Sequence, residues 1–108
     1  MDTLIPGNGA EQYYRSYGRY NSVSELSSAL TDGMILRYYV LSGKMRDDDK
    51  SSYSIFCVLY EDGEVKDTEF AFDVTSDRSE ADRLCRLLCR NTVTPVCLLE
   101  VLESVLCG

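Results

Sequence analysis

Hydrophobic and polar positions along this 108-residue chain follow two rhythms. The stretch "VKDTEFAFDV" (65–74) alternates, with Phe70, Phe72 and Val74 on one side and Asp67, Glu69 and Asp73 on the other. Period two is the mark of a half-buried strand. Two earlier runs, "MILRYYVLS" (34–42) and "YSIFCVLY" (53–60), are dense in β-branched, aromatic and leucine side chains. Both are too short for buried helices and read as strands. Asp62-Gly63, between the second and third runs, is a two-residue hairpin signal. "GKMRDDDKSS" reads as a solvated connection.

Toward the C-terminus the period lengthens. Ala81, Leu84, Cys85 and Leu88 recur at i, i+3, i+4 and i+7, the stripe of an amphipathic helix ending near Arg90. Asp77 with Glu80 three residues later supplies its cap, with Ser76 as the rival. "NTVT" is a turn, and Thr94 caps a second helix whose first position is Pro95, where a missing N–H is harmless. Leu98, Val101, Leu102 and Val105 form its stripe, widened by Leu99 and Leu106.

The N-terminal third is less regular. Residues 1–21 keep no period and read as an arm. In "NSVSELSSALTDG", Ser22 and Glu25 have the spacing of a capping box. Val23, Leu26 and Leu30 share a helical face there, and Gly33 suits a left-handed stop. The expected architecture is therefore α+β: a three-stranded antiparallel meander followed by a C-terminal αα-hairpin on one face. That domain spans 34–108, behind an arm with a short helix over 1–33.

This arrangement leaves a problem. The first two strands are apolar on both faces, with Ile35, Tyr39 and Leu41 opposing Met34, Leu36, Tyr38 and Val40. Helices cover one side of such a sheet only. The other side, Tyr39 included, calls for the N-terminal segment folded back or for a second copy of the chain in a homodimer.

Charge and composition narrow the functional classes. The formal charge is −7, which repels phosphate backbones and argues against general affinity for nucleic acid or anionic membranes. "QYYRSYGRY" interleaves tyrosine with arginine as single-strand binders do, yet it brings only Arg15 and Arg19. Packing of Tyr13, Tyr14, Tyr17 and Tyr20 as amphipathic rings is the simpler reading. No apolar run approaches the roughly 20 residues of a membrane span. The opening "MDTLIPGNGAEQ" is not a secretory signal, and an odd number of cysteines without one points to the reducing cytoplasm. There is no histidine, so the commonest general base and metal ligand are both missing. "RDDDK" lacks the spacing and the glycine of a calcium loop. No phosphate-cradling loop, nucleophile elbow or Cys/His pair occurs, so neither an enzyme nor a cofactor is expected.

Two constellations remain. Cys85, Cys89, Cys97 and Cys107 could in principle bind zinc or sense redox state. Their spacing has no tight C-x2-C turn, and on the expected helices the side chains diverge. The plainer reading is that Cys57, Cys85 and Cys89 pack as small apolar groups. Cys97, at the start of a helix where the dipole favours an anion, is the best single candidate for a reactive thiol. Arg83, Arg86 and Arg90, at i, i+3 and i+7 away from the apolar stripe, form either a docking strip for an acidic partner or a solvated face toward the helix C-terminus.

Several of these pieces occur together elsewhere. Tyr53-Ser54-Ile55, the Glu61–Glu64 turn, Val74-Thr75-Ser76-Asp77, the Arg/Leu-rich helix and Thr94-Pro95 leading to Leu98-Leu99-Glu100-Val101 resemble a small Firmicutes family of uncharacterised proteins over residues 34–107. The resemblance implies a histidine where Cys97 stands. It implies the fold and a bacterial cytoplasmic setting, and no activity. The expectation is a non-enzymatic interaction or regulatory module with an unknown protein partner, homodimeric if the second face demands it. The alternative is a cysteine-based metal-binding or redox-sensing domain.

Overall fold

The computed structural model describes residues 21–30, 33–44 and 51–107. Four strands, β1 (Asn21–Ala29), β2 (Met34–Lys44), β3 (Ser51–Glu61) and β4 (Glu64–Thr75), form one antiparallel sheet in sequential order. Two helices follow, α1 (Arg78–Arg90) and α2 (Pro95–Cys107). The architecture is α+β as expected, with four strands where the sequence suggests three. The expected arm over residues 1–20 lies outside the described residues.

The added strand is the segment whose spacing suggests a helix. Leu26 lies opposite Tyr38 and Ser28 opposite Leu36, so Leu26 and Leu30 point to the helix-covered side. A bulge between Ser22 and Ser24 shifts Val23 onto that same side. That irregularity turns a strand's two-residue rhythm into an apparent helical i, i+3, i+7 pattern. On the other side Glu25, paired with Tyr39, reaches diagonally to Arg37 in an ion pair. The pairing with β2 outweighs the weak helical propensity of a serine-rich segment. Gly33 does take a left-handed conformation (φ +78°), but as part of the β1–β2 connection.

The β3–β4 hairpin is as the sequence suggests. Asp62 and Gly63 both have positive φ (53° and 86°), as a two-residue turn requires. Asp62 donates its N–H to the Gly33 carbonyl at 2.7 Å, joining the two connections at one end of the sheet.

β4 departs from clean alternation. Tyr53 pairs with Thr75 but Ile55 with Ala71, and the extra residues bulge around Asp73 (φ 49°). Asp73 receives the Ser52 hydroxyl on Oδ1 and donates its N–H to Ser54 Oγ, both at 2.8 Å. Those contacts satisfy two buried serines. The bulge sends Val74 to the helix-covered side, apart from Phe70 and Phe72. Asp67 and Glu69 pair with Leu59 and Cys57, so the charged positions of β4 also lie toward the helices, at the sheet's edge.

One core lies between sheet and helices: Leu36, Tyr38, Val40, Ile55, Cys57 and Ala71 meet Ala81, Leu84, Cys85, Leu88, Leu98 and Leu102. A second cluster, on the face away from the helices, joins Tyr39, Leu41, Phe56, Val58, Tyr60 and Phe70. All six are buried in the single chain, the most open being Phe70 at 7%.

Candidate functional site

The helical hairpin is held on the sheet through its turn. Asp77 caps α1 by accepting the Ser79 N–H at 2.9 Å, while Glu80 turns to Arg83 (2.9 and 2.7 Å) and does not close a capping box. α1 ends with Thr92 left-handed (φ 47°), Thr92 N–H on Cys89 O and Val93 N–H on Leu88 O. This is a Schellman stop with threonine where glycine is usual. The Val93 carbonyl then turns to the sheet, accepting from the Tyr38 hydroxyl at 2.7 Å and the Cys57 thiol at 3.6 Å.

Held there, α1 and α2 leave a groove of about 640 Å³ between them. Leu87 forms the α1 bank; Cys97, Val101 and Val105, one turn apart, form the α2 bank; Val93 and Asn91 lie at the turn. Of the positions expected to complete the α2 stripe, Leu98 and Leu102 are buried, while Val101 and Val105 are only half-buried. Leu99 and Leu106, expected to widen the core, are each 49% exposed, and Val96 is 80% exposed. They lie beyond the arc that the sheet and α1 can cover. α2 therefore shows solvent an unusually apolar helix, whose charged side chains are Glu100 and Glu103 alone.

Arg83, Arg86 and Arg90 are all exposed on α1. Arg83 and Arg90 stand four residues before and three after Leu87, so they neighbour it on the α1 surface, although neither lines the groove itself. Arg83 is paired with Glu80 at 2.7 Å, whereas Arg86 and Arg90 make no ion pair among the described residues. Tyr39, the other expected partner contact, is 2% exposed in the second cluster. The sequence identifies the arginine strip but not the groove, because a groove exists only once two helices are packed side by side.

Among the described residues the cysteines separate; the side chain of Cys107, the fourth candidate ligand, lies outside them. Cys57 and Cys85 are buried and free. Burial pushes the Cys85 thiol up to about 12, with Cys89 and Asp82 adding to the rise. It lifts Cys57 further, helped by Cys85, Asp67 and Glu69. Cys89, raised by desolvation, donates to Ser27 O of β1 at 3.4 Å. Cys97 is exposed in the groove, on the opposite flank of α1. Among the described residues no three Cys, Asp or Glu side chains gather where a metal could be held. No helix among them is long and apolar enough to cross a membrane.

A family described only as one of unknown function, DUF6514, has a model that matches residues 20–108. The chain belongs to this family. The DUF6514 match opens one residue before β1 and takes in all four strands and both helices. The resemblance carried by the sequence motifs begins only at 34, and so leaves β1 out. No curated protein and no solved structure matches the chain.

Proposed function

We propose that this domain is a non-enzymatic interaction module that binds a protein partner through the outer side of its helical hairpin. The carrying observation is the exposed apolar side of α2, with Val96, Leu99 and Leu106 held in solvent by a well-buried frame. Isolated exposed leucines are ordinary, but three large apolar side chains left open along one flank of a single helix are a clustering of the kind that marks contact sites. The second sheet face offers less, since its aromatic cluster is already buried in a single chain. Free thiols at Cys57, Cys85, Cys89 and Cys97 suit work in a reducing cytoplasm.

The test compares the full chain with L99S/L106S, which alters exposed positions only, as bait in extract from the native host, with sedimentation velocity on both. A protein retained by the parent and lost by the variant supports the reading, as does a self-associated parent that the variant renders monomeric. Identical retention and identical sedimentation overturn it.

A further inference from the structure

The groove between α1 and α2 extends the interaction reading to a definite kind of partner, and the choice of partner rests on that reading. Its polar lining, Asn91, Thr92 and Thr94, is confined to the turn. The rest is aliphatic apart from the Cys97 thiol. Along α2 the bank from Cys97 to Val105 spans eight residues, or about 12 Å at 1.5 Å per residue. Anchors at i, i+4 and i+7 of an incoming helix cover about 10.5 Å, so their spacing fits Cys97, Val101 and Val105 nearly in register. A flat helical side chain array of this kind accepts a third helix laid along the pair, as ridges fit grooves. A small ligand would have few polar groups to orient it here.

Charge sets the flank. Along α1, flanking Leu87, Arg83 (already held by Glu80) and Arg90 are seven residues apart, the same pitch of about 10.5 Å, with Arg86, unpaired among the described residues, between them on the outer side. Arg86 and Arg90 have no carboxylate partner among the described residues, in a chain whose net charge is −7. The α2 bank has no basic residue at all, only Glu100 and Glu103 along the helix. The groove is therefore positive on one side and neutral to negative on the other.

We infer that this groove seats an amphipathic helix of a partner protein, with apolar anchors at i, i+4 and i+7 and acidic side chains along the flank that meets α1. The asymmetry fixes the direction in which such a helix lies, since reversing it would place its acids against Glu100. Arginine is suited to the task because its planar fork grips carboxylates with paired hydrogen bonds.

The full chain contains no tryptophan, so a single Trp in a probe peptide reports its own burial. The probes are synthetic helical peptides of about five turns, each with a leucine stripe holding one Trp. One has glutamate on a single flank, a second has lysine there, and a third has the stripe scrambled. The acidic peptide is expected to bind saturably with a blue-shifted Trp emission, about tenfold or more tighter than the lysine peptide. R86E/R90E, at exposed positions, should reverse that order. C97D and V101D should each abolish the shift, and C97D, altering an exposed residue, serves if V101D does not fold. Equal binding of the acidic and lysine peptides, an unchanged order in R86E/R90E, or no shift with any peptide overturns the inference. If L99S/L106S still loses its partner while the peptides fail, only the groove assignment falls; if both experiments fail, the interaction reading falls with it.

Discussion

The hydroxyl of Tyr38, in the middle of β2, donates to the backbone carbonyl of Val93 at 2.7 Å, across 55 positions of sequence. Neither partner is exposed, and the bond pins the turn between the helices to the centre of the sheet. The Cys57 thiol contacts the same oxygen at 3.6 Å, a weaker second donor. The groove between α1 and α2 exists because that turn is held still.

Tyr38→Phe keeps the ring and removes the donor, leaving the Val93 carbonyl with the thiol alone. A buried acceptor deprived of its main partner costs about 1–3 kcal/mol. Urea unfolding should show that loss as a lower midpoint with an unchanged slope. A Tyr38→Phe protein as stable as the parent would mean that this bond does not seat the hairpin.

The buried protons give a pH dependence with a definite sign. Burial chiefly raises Cys85, from the ordinary 9.0 to about 12, and lifts Cys57 and the Tyr38 hydroxyl further still. Between these limits the folded chain keeps protons that the unfolded chain has released. Stability from these groups is thus fully present below about pH 9 and declines as pH rises, with a slope approaching about 1.4 kcal/mol per pH from Cys85 alone. Urea midpoints measured from neutrality to strongly alkaline pH should stay level and then fall. A flat profile above pH 9 would contradict the burial of these groups.

Gly33 and Gly63 both need positive φ (78° and 86°), but their surroundings differ. A Cβ on Gly33 would lie 2.3 Å from Asp62 Oδ1, whereas one on Gly63 would meet nothing within 4 Å. Left-handed strain alone costs about 1–2 kcal/mol for a non-glycine residue. Gly63→Ala should lose about that much, and Gly33→Ala more, because the Asp62 side chain must also move. Thermal midpoints of the two variants check the order, and Gly63→Ala as the worse of the pair would be the contrary result.

Thiol chemistry should follow burial. In the native state iodoacetamide should modify Cys97 well before Cys57 or Cys85, which should react only after unfolding; peptide mass spectrometry reads each site. Freshly purified, reduced protein should carry no stoichiometric zinc by elemental analysis. One zinc per chain that is lost in a Cys85→Ser/Cys97→Ser variant would instead restore the metal-binding reading of the cysteines.

What the sequence determined by itself is local. The alternation of β4 from Asp67 to Phe72, the Asp62-Gly63 turn, the Asp77 cap, the α1 stripe and Pro95 at the start of α2 are each set by contacts a few residues apart. The arginine strip was legible for the same reason, since i, i+3 and i+7 share a flank on any helix. Tertiary structure decided what depends on distant partners. Asn21–Ala29 is a strand because β2 offers an edge to pair with, and a bulge at Val23 disguised its period. Val74 leaves the side of Phe70 because Asp73 bulges to satisfy two serines on β3. Leu99 and Leu106 sit in solvent because a stripe tells which side chains share an arc, whereas the width of arc that neighbours can cover is a property of the packed layers.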